Sequence, residues 1–348
     1  VNLQLNRPKP IMRHKSQAVD MNTPAVRAAK LLINGEQLIL KDHYSTGAEI
    51  IEQLKRLTYF QDPKSSFSQR QVANKKFRSA ALRLLAPIQK HKLNLNGAHP
   101  IGFLNELYPR LDKFELPFIE IQELYGAWER YTSGQHFAVL GHKLHPYYGA
   151  YAPTRTSHLE LFGTWLNNYM GPRDFAVDVG TGCGVLAFML AKSNFSHVLA
   201  TDSNPNAVES VKRDCERQDR GYSIDVMHGD LLCYNARKTD LVVFNPPWVM
   251  GETNSQLNQA LFFEKGLFER FFDQAIDSLA SHGRIVMVFS NIIELTQPDA
   301  PHPIKEELER GRLKLTNLTQ RKVKPKRNEY GARRITKEKV QVWELALN

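Results

Sequence analysis

From Phe175 to Ala191 the chain runs through an apolar stretch, a glycine-rich turn and a second apolar stretch, an order that few folds accept. Phe175-Ala176-Val177-Asp178-Val179 reads as a buried strand, Gly180-Thr181-Gly182-Cys183-Gly184 as a sharp turn, and Val185–Ala191 as the helix that follows. Glycines at such a turn let the backbone approach a ligand at the amino end of the helix. Nicotinamide-binding domains use a similar loop, so the turn alone defines a strand–loop–helix unit and not its ligand.

Further signals follow in order. His197-Val198-Leu199-Ala200-Thr201 reads as a second strand ending at Asp202 and Ser203, where an acid can bind ribose hydroxyls. Asp202 stands equally as a cap for the helix that Pro205 opens. A third apolar stretch ends at His228-Gly229-Asp230-Leu231, where Asp230 is either a second ligand-type acid or a turn residue. Leu241-Val242-Val243-Phe244 then runs into Asn245-Pro246-Pro247-Trp248. Neither proline can donate to a ladder and both fix φ, so the strand ends there and the carbonyls of Asn245 and Pro246 face a crevice. An amide, free carbonyls and a flat ring at that place suit a planar group bearing –NH2. A proline-terminated strand with a buried Trp is the plainer alternative, and the ordered acids upstream weigh against it.

On these motifs, residues from about Tyr147 onward resemble the class I S-adenosylmethionine-dependent methyltransferases. Within that class the chain is similar to the Asn-Pro-Pro-aromatic subgroup, which methylates amide or amine nitrogens: glutamine methyltransferases and RNA-base methyltransferases. The resemblance implies a Rossmann-like α/β fold with a seven-stranded sheet and S-adenosylmethionine as cofactor. It implies that Asp178, Gly180, Thr181, Gly182, Gly184, Asp202, Ser203, Asp230, Leu231 and Asn245 hold the cofactor, with Asp178 reaching its cationic methionine end directly or through water. Asn245, Pro246, Pro247 and Trp248 are the expected catalytic group, with Trp248 stacking on the substrate where Tyr or Phe is commoner. Pro153-Thr154-Arg155-Thr156-Ser157 partly matches a segment that crosses the mouth of the cofactor site in these enzymes, which makes Thr154, Arg155 and Trp248 the expected substrate wall.

Charge narrows the partner. The net charge of +10 is uneven: residues 1–95 hold 17 Lys and Arg against 6 Asp and Glu, whereas residues 96–320 hold 20 against 27. Between Arg321 and Arg334 seven basic residues face Glu329 alone. An acidic body carrying two basic regions points to a polyanion, RNA or the ribosome, over a merely solubilising face. No apolar run reaches membrane-spanning length, the N-terminus lacks a signal-peptide pattern, and Cys183, Cys215 and Cys233 form no metal-ligand pair, so a cytoplasmic protein without metal is expected.

Residues 1–140 read as a mainly helical, basic accessory domain for substrate recognition, and residues 141–348 as the methyltransferase domain. Helical spacing is evident at Thr46–Phe60, Ser68–Ala86 and Phe118–Tyr131, with residues 1 to about 22 as a polar arm. Strand–helix alternation after the glycine turn predicts a parallel sheet, closed by an antiparallel pair at about Lys314–Gln320 and Val340–Leu347. Gly251–Gln256 is a polar loop suited to be a lid. The expected activity is nitrogen methylation of an RNA base. The alternatives are a protein-glutamine methyltransferase acting on a translation factor or ribosomal protein, and a small-molecule methyltransferase.

Overall fold

In the computed structural model, residues 3–12, 15–59, 67–218, 221–233, 237–250, 262–323 and 337–348 are described. The expected lid at 251–256 and most of the basic run, from Lys324 through Arg334, lie outside these residues. Among the described residues the chain divides into two units, one made of Arg7–Glu129, the other of residues 3–6, 130–323 and 337–348.

In the first unit the expected helices are present at slightly different bounds. The elements are β1 (Gln17–Val19), α1 (Ala25–Ile33), β2 (Leu38–Leu40), α2 (Tyr44–Thr58), α3 (Phe67–Ala81), β3 (Leu84–Gln89), β4 (Lys92–Leu93), α4 (Phe103–Leu107), β5 (Lys113–Pro117) and α5 (Phe118–Ser133), whose last residues belong to the other unit. Among the described residues helical ones predominate, and they are organised on a five-stranded sheet, order β1-β2-β3-β4 with β5 on β3, which the expectation of a mainly helical domain did not include. Its strands are short and mostly buried, so they lack the alternation that marks a half-exposed strand. Leu84 and Leu85 continue the apolar spacing of α3, yet they pair with Pro117 and Leu38–Ile39 in the sheet. Part of the polar arm is likewise a strand, with Gln17–Val19 parallel to Leu38–Leu40.

The division falls near residue 130, ahead of the expected 140. Beyond it come the hairpin β6 (Gln135–Phe137) and β7 (His142–Leu144), and Phe137, Leu140 and Leu144 are buried in the core of the second unit. The Arg213 guanidinium lies 4.6 Å from the Tyr147 ring, and Tyr131 meets that ring edge-on. These contacts hold the connecting stretch to the second unit.

Next are α6 (Ser157–Asn167), β8 (Phe175–Val179), α7 (Val185–Lys192), β9 (His197–Asp202), α8 (Pro205–Arg217), β10 (Ile224–His228), β11 (Thr239–Phe244), β12 (Val249–Met250), β13 (Phe262–Phe263), β14 (Leu279–Ser290), β15 (Leu313–Lys322) and β16 (Lys339–Leu347). Among the described residues the main sheet has seven strands in the order β10-β9-β8-β11-β14-β16-β15. The first five are parallel, and β16 runs antiparallel to both its neighbours. Alternate residues of each strand face opposite layers. Ala176, Ala200, Val243 and Val288 pack with α6 and α7 on one side, while Val177, Leu199, Phe244 and Phe289 pack with the helix Leu267–Ser278 on the other. Both faces are covered, which is why these strands read as continuous apolar runs.

Candidate active site

From β8 the chain moves through β9 to β10 at one edge, then returns to place β11 on the other side of β8. That reversal leaves a crevice at the carboxyl ends of β8 and β11, the place where ligands bind in open α/β sheets. Val179 and Phe244 are register partners, so Gly180 and Asn245 emerge side by side. A cavity of about 460 Å³ opens there. Its wall includes Gly180, Gly182, Asp202, Ser203, Asp230, Leu231, Asn245, Pro246, Pro247 and Trp248, together with the unanticipated Gly149, Tyr151, Asn204, Phe263, Glu264 and Arg270.

The turn is shaped for close approach. Gly182 has φ +56°, and a Cβ there would stand 2.8 Å from the Tyr151 carbonyl oxygen, so no larger residue fits without displacement. The same carbonyl accepts the Cys183 N–H at 2.9 Å, fastening the segment before α6 across the turn. Gly184 lies away from the cavity, at the start of α7 against Val211 and Phe188. Thr181 is buried under the turn and donates to Asp178 Oδ2 at 2.7 Å.

Asp178 is not on the cavity wall. It is fully buried, and its Oδ2 also accepts the Ala187 N–H at 3.0 Å, so the carboxyl staples the turn to the first turn of α7. Among the described residues Oδ1 has no partner, and burial pushes the pKa up to about 7 against the two hydrogen bonds. Asp202 instead faces the cavity. Its Oδ2 accepts the Gly182 N–H at 2.9 Å and its Oδ1 the Asn204 N–H at 2.8 Å, which fixes the plane of the carboxylate. Asn204 caps α8 through the Asn206 N–H and donates to the Gly149 carbonyl, so the capping expected of Asp202 falls to Asn204.

Asp230 is exposed and paired with Arg270 Nε at 3.5 Å, while Arg270 also reaches Glu264 at 3.2 Å. Leu231 sits at φ +53°, a left-handed conformation that costs a non-glycine residue roughly 1–2 kcal/mol. Its carbonyl is held by the Thr201 hydroxyl at 2.7 Å.

Thr154 and Arg155 are exposed and do not line the cavity; Arg155 pairs with Glu338 at 3.4 Å. The residues from that segment that do form the wall are Gly149 and Tyr151, because the chain is drawn in at Tyr151 by Cys183 and turns outward after Pro153. Trp248 is half-buried, with its indole N–H directed inward to Asn245 Oδ1 at 3.2 Å and the Val288 carbonyl at 3.3 Å. His158, 3% exposed, meets the Trp248 ring edge-on at 5.5 Å. Burial pushes its pKa down to about 4, so the imidazole is neutral. His158 and Arg270 carry no sequence signal beyond helical placement.

The donor set fits S-adenosylmethionine. Gly180 and Gly182 line the cavity with backbone alone, Asp202 presents a fixed carboxylate to it, and Asp178 keeps an unpartnered oxygen just below the turn. Among the described residues, no group of three or more His, Cys, Asp or Glu is placed to hold a metal. No helix there is long and apolar enough to cross a membrane.

Residues 164–312 match the family model described as the methyltransferase small domain. The chain is 30% identical over 128 residues, 35% of its length and 41% of the other's, to the ribosomal protein L11 methyltransferase of Clostridium perfringens. It is 30% identical over 116 residues, 32% of its length and 49% of the other's, to the tRNA1(Val) (adenine(37)-N6)-methyltransferase of a Flavobacteriaceae bacterium. A crystal structure of the ribosomal protein L11 methylase from Lactobacillus delbrueckii subsp. bulgaricus is 18% identical, covering 57% of this chain and 81% of that one at a TM-score of 0.40. The chain spans less than half the length of the two curated relatives. The matched segment is similar to a methyltransferase small domain.

Proposed function

We propose that this protein transfers a methyl group from S-adenosylmethionine to a planar amine or amide nitrogen, that of an RNA base. The observation that carries the proposal is the emergence of Asn245-Pro246-Pro247-Trp248 from β11 into the same cavity as the glycine turn and Asp202. The cofactor supplies an electrophilic methyl group on a sulfonium, a good leaving group, so the protein's task is chiefly alignment. The glycine turn and Asp202 hold the cofactor, and Asp230, on the same wall, is the acid that accepts the adenine amine in this reading. An amine or amide nitrogen on a flat group is a poor nucleophile because its lone pair is delocalised. Hydrogen bonds from the –NH2 to Asn245 Oδ1 and the Pro246 carbonyl hold that nitrogen and favour pyramidalisation. No strong base is required before attack, since the attacked nitrogen becomes cationic and then sheds its proton.

The charge distribution supports RNA over other substrates, as does similarity to a relative named as a tRNA adenine methyltransferase. Lys75 and Lys76, exposed on α3, belong to the basic region that we assign to substrate recognition in the cytoplasm. Relatives named as ribosomal protein L11 methyltransferases favour a second reading, methylation of a ribosomal protein or translation factor, through a glutamine amide in the expected chemistry. Incubation of the protein with labelled S-adenosylmethionine and a cell extract separates the two. Label in the RNA fraction is expected, label in protein selects the second reading, and label in neither refutes both.

A further inference from the structure

We infer that Trp248 is a positioning residue, whose indole N–H orients the Asn245 amide so that its oxygen faces the incoming amine. The inference rests on the amine-clamp reading of Asn245 and replaces the expected stacking role of this ring. An amide side chain presents an acceptor on one side and two donors on the other, and a rotation of half a turn exchanges them. Only the oxygen can accept from a substrate –NH2; the flipped amide would set donor against donor. Indole N–H is a donor without acceptor capacity, so the atom it meets 3.2 Å away is held as the oxygen. One lone pair of Oδ1 is thereby engaged, and the second is left for the substrate.

The indole is itself held. Its N–H is shared with the Val288 carbonyl at 3.3 Å, from the central strand β14. The edge-on contact with His158 limits the ring from the α6 side, with interplanar angle 88°. Pro246 and Pro247 hold the backbone between the two partners, so ring and amide lie three residues apart on a segment with little freedom. A ring directed inward in this way does not supply its polar edge to the substrate. Phenylalanine at this position keeps an aromatic face and loses the donor, which separates positioning from stacking.

Two measurements on the full chain test this. In a 15N-labelled sample the Trp248 indole peak is assigned by its absence from Trp248→Phe. Asn245→Ala is expected to move that peak upfield, while the peaks of Trp128, Trp165 and Trp343 stay. An unmoved Trp248 peak would overturn the inference. Methyl transfer is then followed into whichever fraction of a cell extract, RNA or protein, accepts label. Trp248→Phe should lower kcat by about tenfold or more, with KM and the affinity for S-adenosylmethionine within about twofold of wild type. A raised KM with kcat retained would instead restore the stacking role and overturn positioning. Loss of transfer in Asn245→Ala but not in Trp248→Phe would overturn positioning alone. Full turnover in Asn245→Ala would remove the amine clamp itself and the inference with it.

Discussion

Asp202→Ala tests the cofactor site at its best-defined acid. Both carboxylate oxygens already accept a backbone N–H, from Gly182 at 2.9 Å and Asn204 at 2.8 Å, so the group is held rigid before any ligand arrives. Each oxygen keeps further acceptor capacity on a residue that lines the cavity, and a hydroxyl bonding to a charged acceptor is worth about 1.5–3 kcal/mol. Losing it corresponds to roughly a 10- to 150-fold weaker Kd. The fold should survive, because α8 keeps its cap through Asn204 and the Asn206 N–H, and because β9 is paired along its length on both sides. Titration calorimetry with S-adenosylmethionine gives the Kd directly, and thermal melting checks that the variant is folded. A folded Asp202→Ala protein that binds the cofactor with wild-type affinity would refute the reasoning, as would tight binding of a nicotinamide dinucleotide by the wild type.

Asp178 should make stability depend on pH. Its pKa rises from the ordinary 3.8 to about 7 on folding, so the folded state is favoured when the carboxyl is protonated and loses ground as pH rises between those values, by at most about 1.4 kcal/mol per pH unit. Melting curves of Asp178→Asn should lack this dependence; parallel curves for both proteins between pH 4 and 7 would show that the carboxyl is not so perturbed. Gly182→Ala should cost about 1–3 kcal/mol in stability and weaken the cofactor, since its Cβ would meet the Tyr151 oxygen at 2.8 Å in a left-handed backbone. Gly163→Ala in α6, which meets only the flexible end of Met189, should be neutral or stabilising, and equal losses in the two variants would remove the special role of the turn. Glutamate replacements at Lys75, Lys76, Lys324, Lys326 and Arg327 should weaken RNA binding and flatten its salt dependence without changing affinity for S-adenosylmethionine, as read by filter binding across a salt series. Unchanged methylation of the native substrate at physiological salt would reduce the basic regions to solubilising surface.

The second unit was largely legible in the sequence because each of its central strands is an apolar run with a chemically marked end. Val179 passes into glycine, Thr201 into Asp202 and Phe244 into Asn-Pro-Pro, so both strand limits and cavity wall can be read from composition change. The sheet of the first unit was hidden, since strands of two to six residues fill their faces with buried Leu and Ile and imitate helical spacing. Side-chain direction was hidden as well. Nothing in the order of residues says that Asp178 turns under the loop to Thr181 and the Ala187 N–H, that Arg155 is drawn to Glu338, or that the Trp248 N–H reaches the Val288 carbonyl; the last two follow from contacts over long sequence separations. Arg270 reaches the cavity only because the helix Leu267–Ser278 packs its Phe271 and Phe272 face on the sheet and leaves this cation at the rim.

The central claim is nitrogen methylation at the Asn245 motif, and identifying the methylated product tests it most directly. RNA recovered after incubation of a cell extract with labelled S-adenosylmethionine and the wild-type protein is digested to nucleosides and resolved by mass spectrometry, with Asn245→Ala run in parallel. An N-methylated base that carries the label with the wild-type protein and is absent with Asn245→Ala is the predicted result. Label on a carbon or an oxygen, or equal label from both proteins, would contradict the account.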